Sequence, residues 1–288
     1  MNHELYNKAL KVWQGGPSLK DEYHSSTGFL SNSFIGDFLK CEYGAMIDYS
    51  HVIKKPESFN EAFAVGHLTE AICFEGEEGE QKMLERYEQY AFDRSKKPKA
   101  WVRNSREYAK SITRHDNIKK LLQAEGSKYH QTLIFKLHGV DWRGEVDYLN
   151  LNKLTEIDMK TTKSSFYEKS WRNVDGKNVK DSTFIDDWNY HRQRAIYQYG
   201  INELYEVQVL SRILAVSKKN KSVKLFKFDD QERLDYEVKN LIPTVNRFKT
   251  LRDGESEPTM CKECVHCVEA EKVETEISVS TYCAELYI

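Results

Sequence analysis

The stretch Gly144-Glu-Val-Asp147-Tyr-Leu-Asn-Leu-Asn-Lys-Leu-Thr-Glu156-Ile-Asp158-Met-Lys160-Thr-Thr-Lys163 decides the fold. Two strand-like segments flank the polar turn at 150–153, which predicts a β-hairpin. Asp147 falls on its first strand, and Asp158 and Lys160 on its second. Side chains alternate faces along a strand, so Glu156, Asp158 and Lys160 share one face while Ile157 and Met159 take the other. Asp-x-Lys by itself is weak evidence. In a chain with 31% charged residues most such triplets are solvated surface pairs of little energetic worth. Here a hairpin gathers two carboxylates and an ammonium, a costly arrangement unless a divalent cation sits between them.

Outward from this hairpin the chain reads as helices, strands, a helix, two strands and a helix. A short helix is predicted around Asn2 to Trp13. Ser31-Asn-Ser33 offers an N-cap to a helix running to about Tyr49, with Phe34, Ile35, Phe38 and Leu39 on one face. A helix after Ser58 carries Phe63, Val65, Ile72 and Phe74, with His67 and Glu70 three apart on neighbouring positions. Charged residues dominate 80–127, where Lys96 to Lys99 mark a loop before a helix from Ser105 to Glu125. Strands are predicted over Tyr129 to Leu137, Val140 to Leu149 and Leu154 to Thr161. Trp171 to Asp187 is polar, with Asp175-Gly176 as a turn. A helix from Trp188 to Glu203 precedes strands near Tyr205 to Ser217 and Val223 to Phe228. Asp229 to Leu251 is amphipathic, with Leu234, Val238, Leu241, Val245 and Phe248 at steps of three or four. Pro243 should kink this helix or end its first half. A last strand is placed at Glu276 to Tyr282. The fold class is therefore α/β, a mixed central β-sheet flanked by helices with a helical N-terminal part.

The 288 residues suit one large domain with insertions, or one domain with a small appendage, and the 40% apolar fraction can fill a sizeable core. The formal charge of −2 conceals 43 basic and 45 acidic residues. Nucleic-acid binding would therefore need a local basic groove. Candidate phosphate contacts are Lys96, Lys97, Lys99, Arg103 and the Lys218 to Lys221 turn. Met1 to Gly15 lacks the pattern of a signal peptide, and no run approaches the ~18 apolar residues of a membrane span. The chain is thus expected to be cytoplasmic.

Hard-ion chemistry gives the hairpin its roles. Magnesium takes one or two carboxylates and leaves room for water and a phosphate, and Asp147 and Asp158 supply the carboxylates. Lys160 is then placed to orient or deprotonate an attacking water, or to stabilise charge on a phosphorane.

Asp147, Asp158 and Lys160 resemble the signature of the PD-(D/E)xK nuclease superfamily. Three further segments resemble its RecB-like branch. They are Ser31-Asn-Ser-Phe-Ile-Gly-Asp-Phe-Leu-Lys-Cys41 as its opening helix, Gly66-His67 with Glu70 as its metal-binding helix, and Gln193-Arg-Ala-Ile-Tyr197 as its Q-x-x-x-Y motif. Asp158-Met-Lys-Thr-Thr-Lys163 followed by that helix is most similar to phage and prophage RecE-type exonucleases. No Pro precedes Asp147, where this chain has Glu145-Val146; the superfamily's Pro is often absent. The resemblance implies a restriction-endonuclease-like nuclease core over 29–268, with a lead-in at 1–28 and a tail at 269–288. It implies a Mg²⁺- or Mn²⁺-dependent DNA exonuclease working in phage or prophage recombination or in DNA repair, inside a bacterial host. His67 would join Asp147 and Asp158 as a metal ligand, and Gln193 and Tyr197 would contact DNA or support Lys160. Glu70 and Glu156 would stand behind the ligands, and Glu145 is assigned no role. Linear double-stranded DNA ends, a phage single-strand annealing protein and a ring-shaped homo-oligomer are the implied partners. Two other readings stay open: a non-catalytic DNA-binding or regulatory protein on a nuclease fold, and a structure- or site-specific endonuclease.

Three of the six cysteines, Cys261, Cys264 and Cys267, fall within seven residues. Such spacing suits thiolate ligation of a metal. Some RecB-like nucleases hold a [4Fe-4S] cluster between one cysteine on the opening helix and three near the C-terminus, which implies Cys41, Cys261, Cys264 and Cys267 as a set. The gap before the last cysteine is shorter here than in that pattern. Zinc, with His266 or Cys283 as alternative ligands, and reduced free thiols are the other readings.

Overall fold

Apolar residues alternate with polar ones through three consecutive segments, and hydrogen bonding assembles these with two later strands into one sheet. The computed structural model describes residues 4–18, 27–53, 59–174 and 176–270. The predicted strand Glu276 to Tyr282 and Cys283 lie outside them. Helices α1 (Glu4–Gln14), α2 (Asn32–Phe38), α3 (Glu42–Asp48), α4 (Glu61–Arg86), α5 (Glu88–Ala91), α6 (Ala100–Thr113) and α7 (Asp116–Leu122) come first. Strands β1 (Ser127–Leu137), β2 (Val140–Asn150) and β3 (Thr155–Thr162) follow, then a hairpin of β4 (Ser170–Val174) and β5 (Lys177–Ser182). Helices α8 (Phe184–Asp187) and α9 (Tyr190–Tyr205), strands β6 (Leu210–Ser217) and β7 (Val223–Phe228), and helices α10 (Gln231–Arg252) and α11 (Val265–Ala270) complete the order. The chain divides into two compact units, 55–243 and the combination of 1–54 with 244–288.

In the larger unit the sheet order is β1-β2-β3-β6-β7. β1 with β2, β2 with β3 and β6 with β7 are antiparallel, whereas β3 and β6 run parallel. The mixed sheet predicted from the sequence is therefore present. Its parallel pair requires a crossover, which α9 helps to supply. Helices α4 and α6 bury Leu68, Val102 and Ile112 with Tyr148, Ile157, Met159, Leu214 and Val216 of the sheet. Tyr190 and Ala195 of α9 pack on Ile213 and Ala215, from the opposite strand face. Close approach explains Gly200: a Cβ there would stand 2.4 Å from the Phe135 ring of β1. α9 can lie on the sheet only with a bare backbone at that point.

The smaller unit is helical. Trp13, Phe34, Phe38, Tyr49 and Phe248 form its aromatic core, with neighbouring ring centroids 5.1–5.5 Å apart. Trp13 satisfies its indole N–H on the Met46 carbonyl at 2.9 Å, and Arg247 grips both oxygens of Glu42 at 2.8 and 2.7 Å.

Several predicted elements differ in extent. The helix expected from Ser31 to Tyr49 is two helices, because Cys41 is extended and its thiol caps α3 by accepting from Gly44 N–H. The helix expected over Ser105 to Glu125 also divides, at Arg114 and His115. α10 runs through Pro243 without ending. Packing on both sides of the missing N–H offsets its loss, since Leu241 and Val245 are each buried. The polar stretch after Trp171 contains the β4–β5 hairpin. Among the described residues no helix is long and apolar enough to cross a membrane.

Candidate functional site

The site begins where β2 and β3 part. Their ladder holds only Tyr148↔Ile157, Leu149↔Glu156 and Asn150↔Thr155. Beyond it the Met159 N–H has lost its strand partner, and a buried donor needs another acceptor. Asp147 Oδ2 supplies one at 2.7 Å. The fork thus ties Asp147 to the strand that carries Asp158 and Lys160, and it brings the three predicted residues together. Lys160 Nζ ion-pairs with Asp158 Oδ2 and lies 5.9 Å from the Tyr190 ring centroid.

A fourth group completes this cluster from α9. Arg194 of α9 is fully buried and donates to Asp158 Oδ1 at 2.7 Å and to Glu156 Oε2 at 2.8 Å. Its guanidinium carbon lies 4.7 Å from the Tyr197 ring centroid. Tyr197 in turn fills a notch at Gly144, where a Cβ would stand 2.7 Å from the ring. Tyr197 therefore acts as a wall that fixes the arginine. Gln193, the other half of the motif, has a buried Oε1 that meets no hydrogen-bond donor among the described residues.

The electrostatics follow from burial and sign. Burial works against the Asp158 charge, but Arg194 and Lys160 hold its carboxyl below the usual range. Burial also opposes the Lys160 ammonium, yet Asp158 and Asp147 keep it above its ordinary value. Asp147 is pushed up to about 6, first by burial and then by the Asp158 charge. Glu156 is pushed up to about 7 by burial, which outweighs the attraction of Arg194.

α4 contributes Glu70. This residue is buried, its Oε1 accepts no hydrogen bond among the described residues, and burial followed by the Asp147 charge raises its carboxyl well above normal. His67, one turn earlier, is exposed. Its Nδ1 meets the Tyr87 hydroxyl at 2.9 Å, and its ring stacks on Phe63 and Tyr87. Glu70 is thus the α4 side chain that the structure sets against the strand carboxylates. β1 adds His130, whose Nδ1 lies 3.5 Å from Glu70 Oε1 and 3.7 Å from Glu145 Oε1. Its backbone is left-handed at φ +51, between the Tyr129↔Tyr148 and Gln131↔Val146 pairs, which puts it opposite Asp147.

Arg194 and His130 were not among the sequence candidates. Arg194 had a signal: it stands in the stripe Tyr190, Arg194, Tyr197, Ile201 that α9 turns inward, and a buried cation demands buried acids. Nothing local marks His130. Of the proposed phosphate contacts, Lys219 pairs with Glu168 and Lys221 with Glu107, while Arg103 donates to the Pro98 carbonyl.

A divalent cation fits this donor set. Glu70, Asp147 and Asp158 offer hard oxygen ligands, and the buried Glu70 Oε1 accepts no hydrogen bond among the described residues. The carboxylates also raise one another's proton affinity, which is a demand for positive charge.

The smaller unit holds a separate candidate metal centre. The Sγ atoms of Cys41, Cys261, Cys264 and Cys267 all lie within 4.8 Å of one another. Cys41 is 3.4 Å from Cys267 and 3.8 Å from Cys264, and Cys261 is 3.9 Å from Cys267. Four thiolates at about 2.3 Å from one tetrahedral ion would be spaced by about 3.8 Å. The four thiols could therefore hold a metal ion. Gly44 and Cys264 point backbone N–H groups at Cys41 and Cys261 Sγ. Backbone donors bring the Cys261 thiol down to about 6. His266 is directed to Asp48, at 2.7 Å.

Comparison with known proteins agrees with this architecture. A solved structure of a candidate exonuclease from Eubacterium rectale superposes with a TM-score of 0.75 at 19% identity, over 93% of this chain and 99% of that one. A second, of SSO0001, gives a TM-score of 0.26 at 10% identity over 74% and 84% of the two chains, too low to bear on the fold. No curated protein matches the sequence. Residues 31–270 match the family described as a PDDEXK-like domain of unknown function, DUF3799. With its forked strands, its Asp147, Asp158 and Lys160 cluster and that match, the chain belongs to the DUF3799 family and, through it, to the PD-(D/E)xK nuclease superfamily.

Proposed function

We propose that the protein is a Mg²⁺-dependent deoxyribonuclease that hydrolyses phosphodiester bonds from DNA ends. The observation that carries this reading is the fork at β2–β3, which sets Asp147 beside Asp158 and Lys160, with buried Glu70 near enough for the Asp147 charge to raise its carboxyl. Glu70, Asp147 and Asp158 would hold the cation, with Glu70 in the place the RecB-like resemblance gave to His67. A bound magnesium ion supplies a more acidic water and neutralises charge on the phosphate oxygens. Arg194 keeps one oxygen of Asp158 occupied and its charge developed. Lys160, held as an ammonium by its two acidic neighbours, donates to the scissile phosphate or to the attacking water rather than acting as a base.

End-labelled linear duplex and covalently closed circular DNA, incubated with Mg²⁺, test the reading. Stepwise digestion of the linear form alone is expected. Cutting of the closed circle would indicate an endonuclease instead. In the same assay Glu70→Gln is expected to lose about 100-fold or more in rate, as for loss of a group that stabilises the transition state. His67→Ala should stay within about threefold, as for an exposed residue outside the site. A role in phage recombination or DNA repair, with an annealing protein as partner and a ring-shaped assembly, extends the same resemblance.

The four cysteines are proposed to hold a resident metal. Their spacing supports a single tetrahedral ion such as zinc over a [4Fe-4S] cluster, whose irons would each carry one thiolate and so hold the sulfurs farther apart. Metal analysis should find one zinc per chain, and stoichiometric iron with visible absorbance would favour the cluster.

A further inference from the structure

Between β3 and α9 the chain inserts the β4–β5 ribbon. The described side chains of its strands are exposed, except for half-buried Ser170 and Asp181 and buried Ser182. A lone two-stranded hairpin is marginal in water, and this one turns no apolar face inward. Its base, however, is firmly seated. Phe166, Phe184 and Phe226 form a triangle with centroids 5.3–5.6 Å apart. Phe184 meets Tyr190 edge-on at 5.8 Å, and Tyr190 is the ring that carries Lys160. The ribbon base and the active-site lysine thus share one aromatic chain.

Three large aromatics stand in solvent on this insertion: Tyr167 at 79% exposure, Trp171 at 66% and Trp188 at 68%. Two of them carry cations. Lys180 is the cross-strand partner of Trp171, with Nζ 5.9 Å from its ring centroid, and Lys224 Nζ lies 5.8 Å from that of Tyr167. Large exposed aromatics gathered on one insertion point to an interaction surface. Rings interleaved with lysines match one partner chemistry, a polyanion that also offers flat π-faces, and that is a nucleic-acid strand. A paired duplex presents its phosphates but, along its length, stacks its base faces away. Unpaired nucleotides present both.

We propose that Tyr167, Trp171, Lys180 and Lys224 form a platform for unpaired nucleotides at a DNA end, with bases stacked on the two rings and phosphates held by the two lysines. The platform rests on the nuclease reading above and adds a preference for single-stranded DNA.

Fluorescence anisotropy of the full chain in EDTA, where no cleavage interferes, separates the two ideas. The probes are a labelled oligo-dT strand and a blunt duplex of equal length. Trp171→Ala and Tyr167→Ala should each weaken single-strand binding about tenfold and leave duplex binding within about twofold, and Trp171→Phe should keep most of the affinity. Equal weakening on both probes, or unchanged single-strand binding, would overturn the platform. A wild type that shows this strand preference yet fails to cut DNA with Mg²⁺ would remove the nuclease reading and leave the platform standing.

Discussion

Lys160→Met is expected to lower the single-turnover rate of DNA cleavage by about three orders of magnitude, the scale of losing a charged donor aimed at the transition state. The fold should survive. Lys160 is partly exposed, and Asp158, its partner, remains held by Arg194. The loss should therefore appear in the chemical step, with a melting temperature within a few degrees of wild type. A rate within tenfold of wild type, in a folded variant, would remove Lys160 from the catalytic machinery.

Arg194→Met should act on stability instead. Arg194 and Glu156 are fully buried, so the substitution strands the Glu156 carboxylate and leaves Asp158 to Lys160. Removing one partner of a buried ion pair costs about 3–5 kcal/mol, which is a large part of a typical folding free energy. Urea unfolding at pH 8, where both carboxylates are ionised in the unfolded chain, reads this loss directly. Adding Glu156→Leu to Arg194→Met should recover a substantial part of it, because an apolar pair of similar volume is often neutral in place of a buried ionic one. Arg194→Lys should not restore wild-type stability, since one ammonium cannot form the two-pronged grip on Glu156 and Asp158. A loss below about 1 kcal/mol for Arg194→Met would mean that the buried network is dispensable.

The period-two pattern around Ile157 and Met159 made β3 legible, and with it the shared face of Asp158 and Lys160. The fork beside it was not, because strand periodicity says nothing about where a ladder stops. That Glu70 is buried near Asp147 while His67 is exposed was likewise hidden. Both sit on α4, and Phe63 lies one turn before His67. Phe63 is 66% exposed and stacks on His67 at the surface. Arg194 was readable in principle, as the one cation in an inward stripe, but its acid partners lie 36 and 38 residues away in sequence. The β4–β5 ribbon escaped because exposed polar strands carry no hydrophobic alternation. The cysteine set was visible in its spacing, and folding added what spacing cannot, the approach of Cys41 to Cys264 and Cys267 across more than 220 residues.

The central claim is that Glu70, Asp147 and Asp158 serve a divalent cation in DNA hydrolysis. Release of acid-soluble nucleotides from a uniformly labelled linear duplex, followed with Mg²⁺ and then with EDTA, tests it most directly. Sustained release with Mg²⁺ that stops when EDTA is added is the expected result. No release with either Mg²⁺ or Mn²⁺, or release that continues in EDTA, would contradict it.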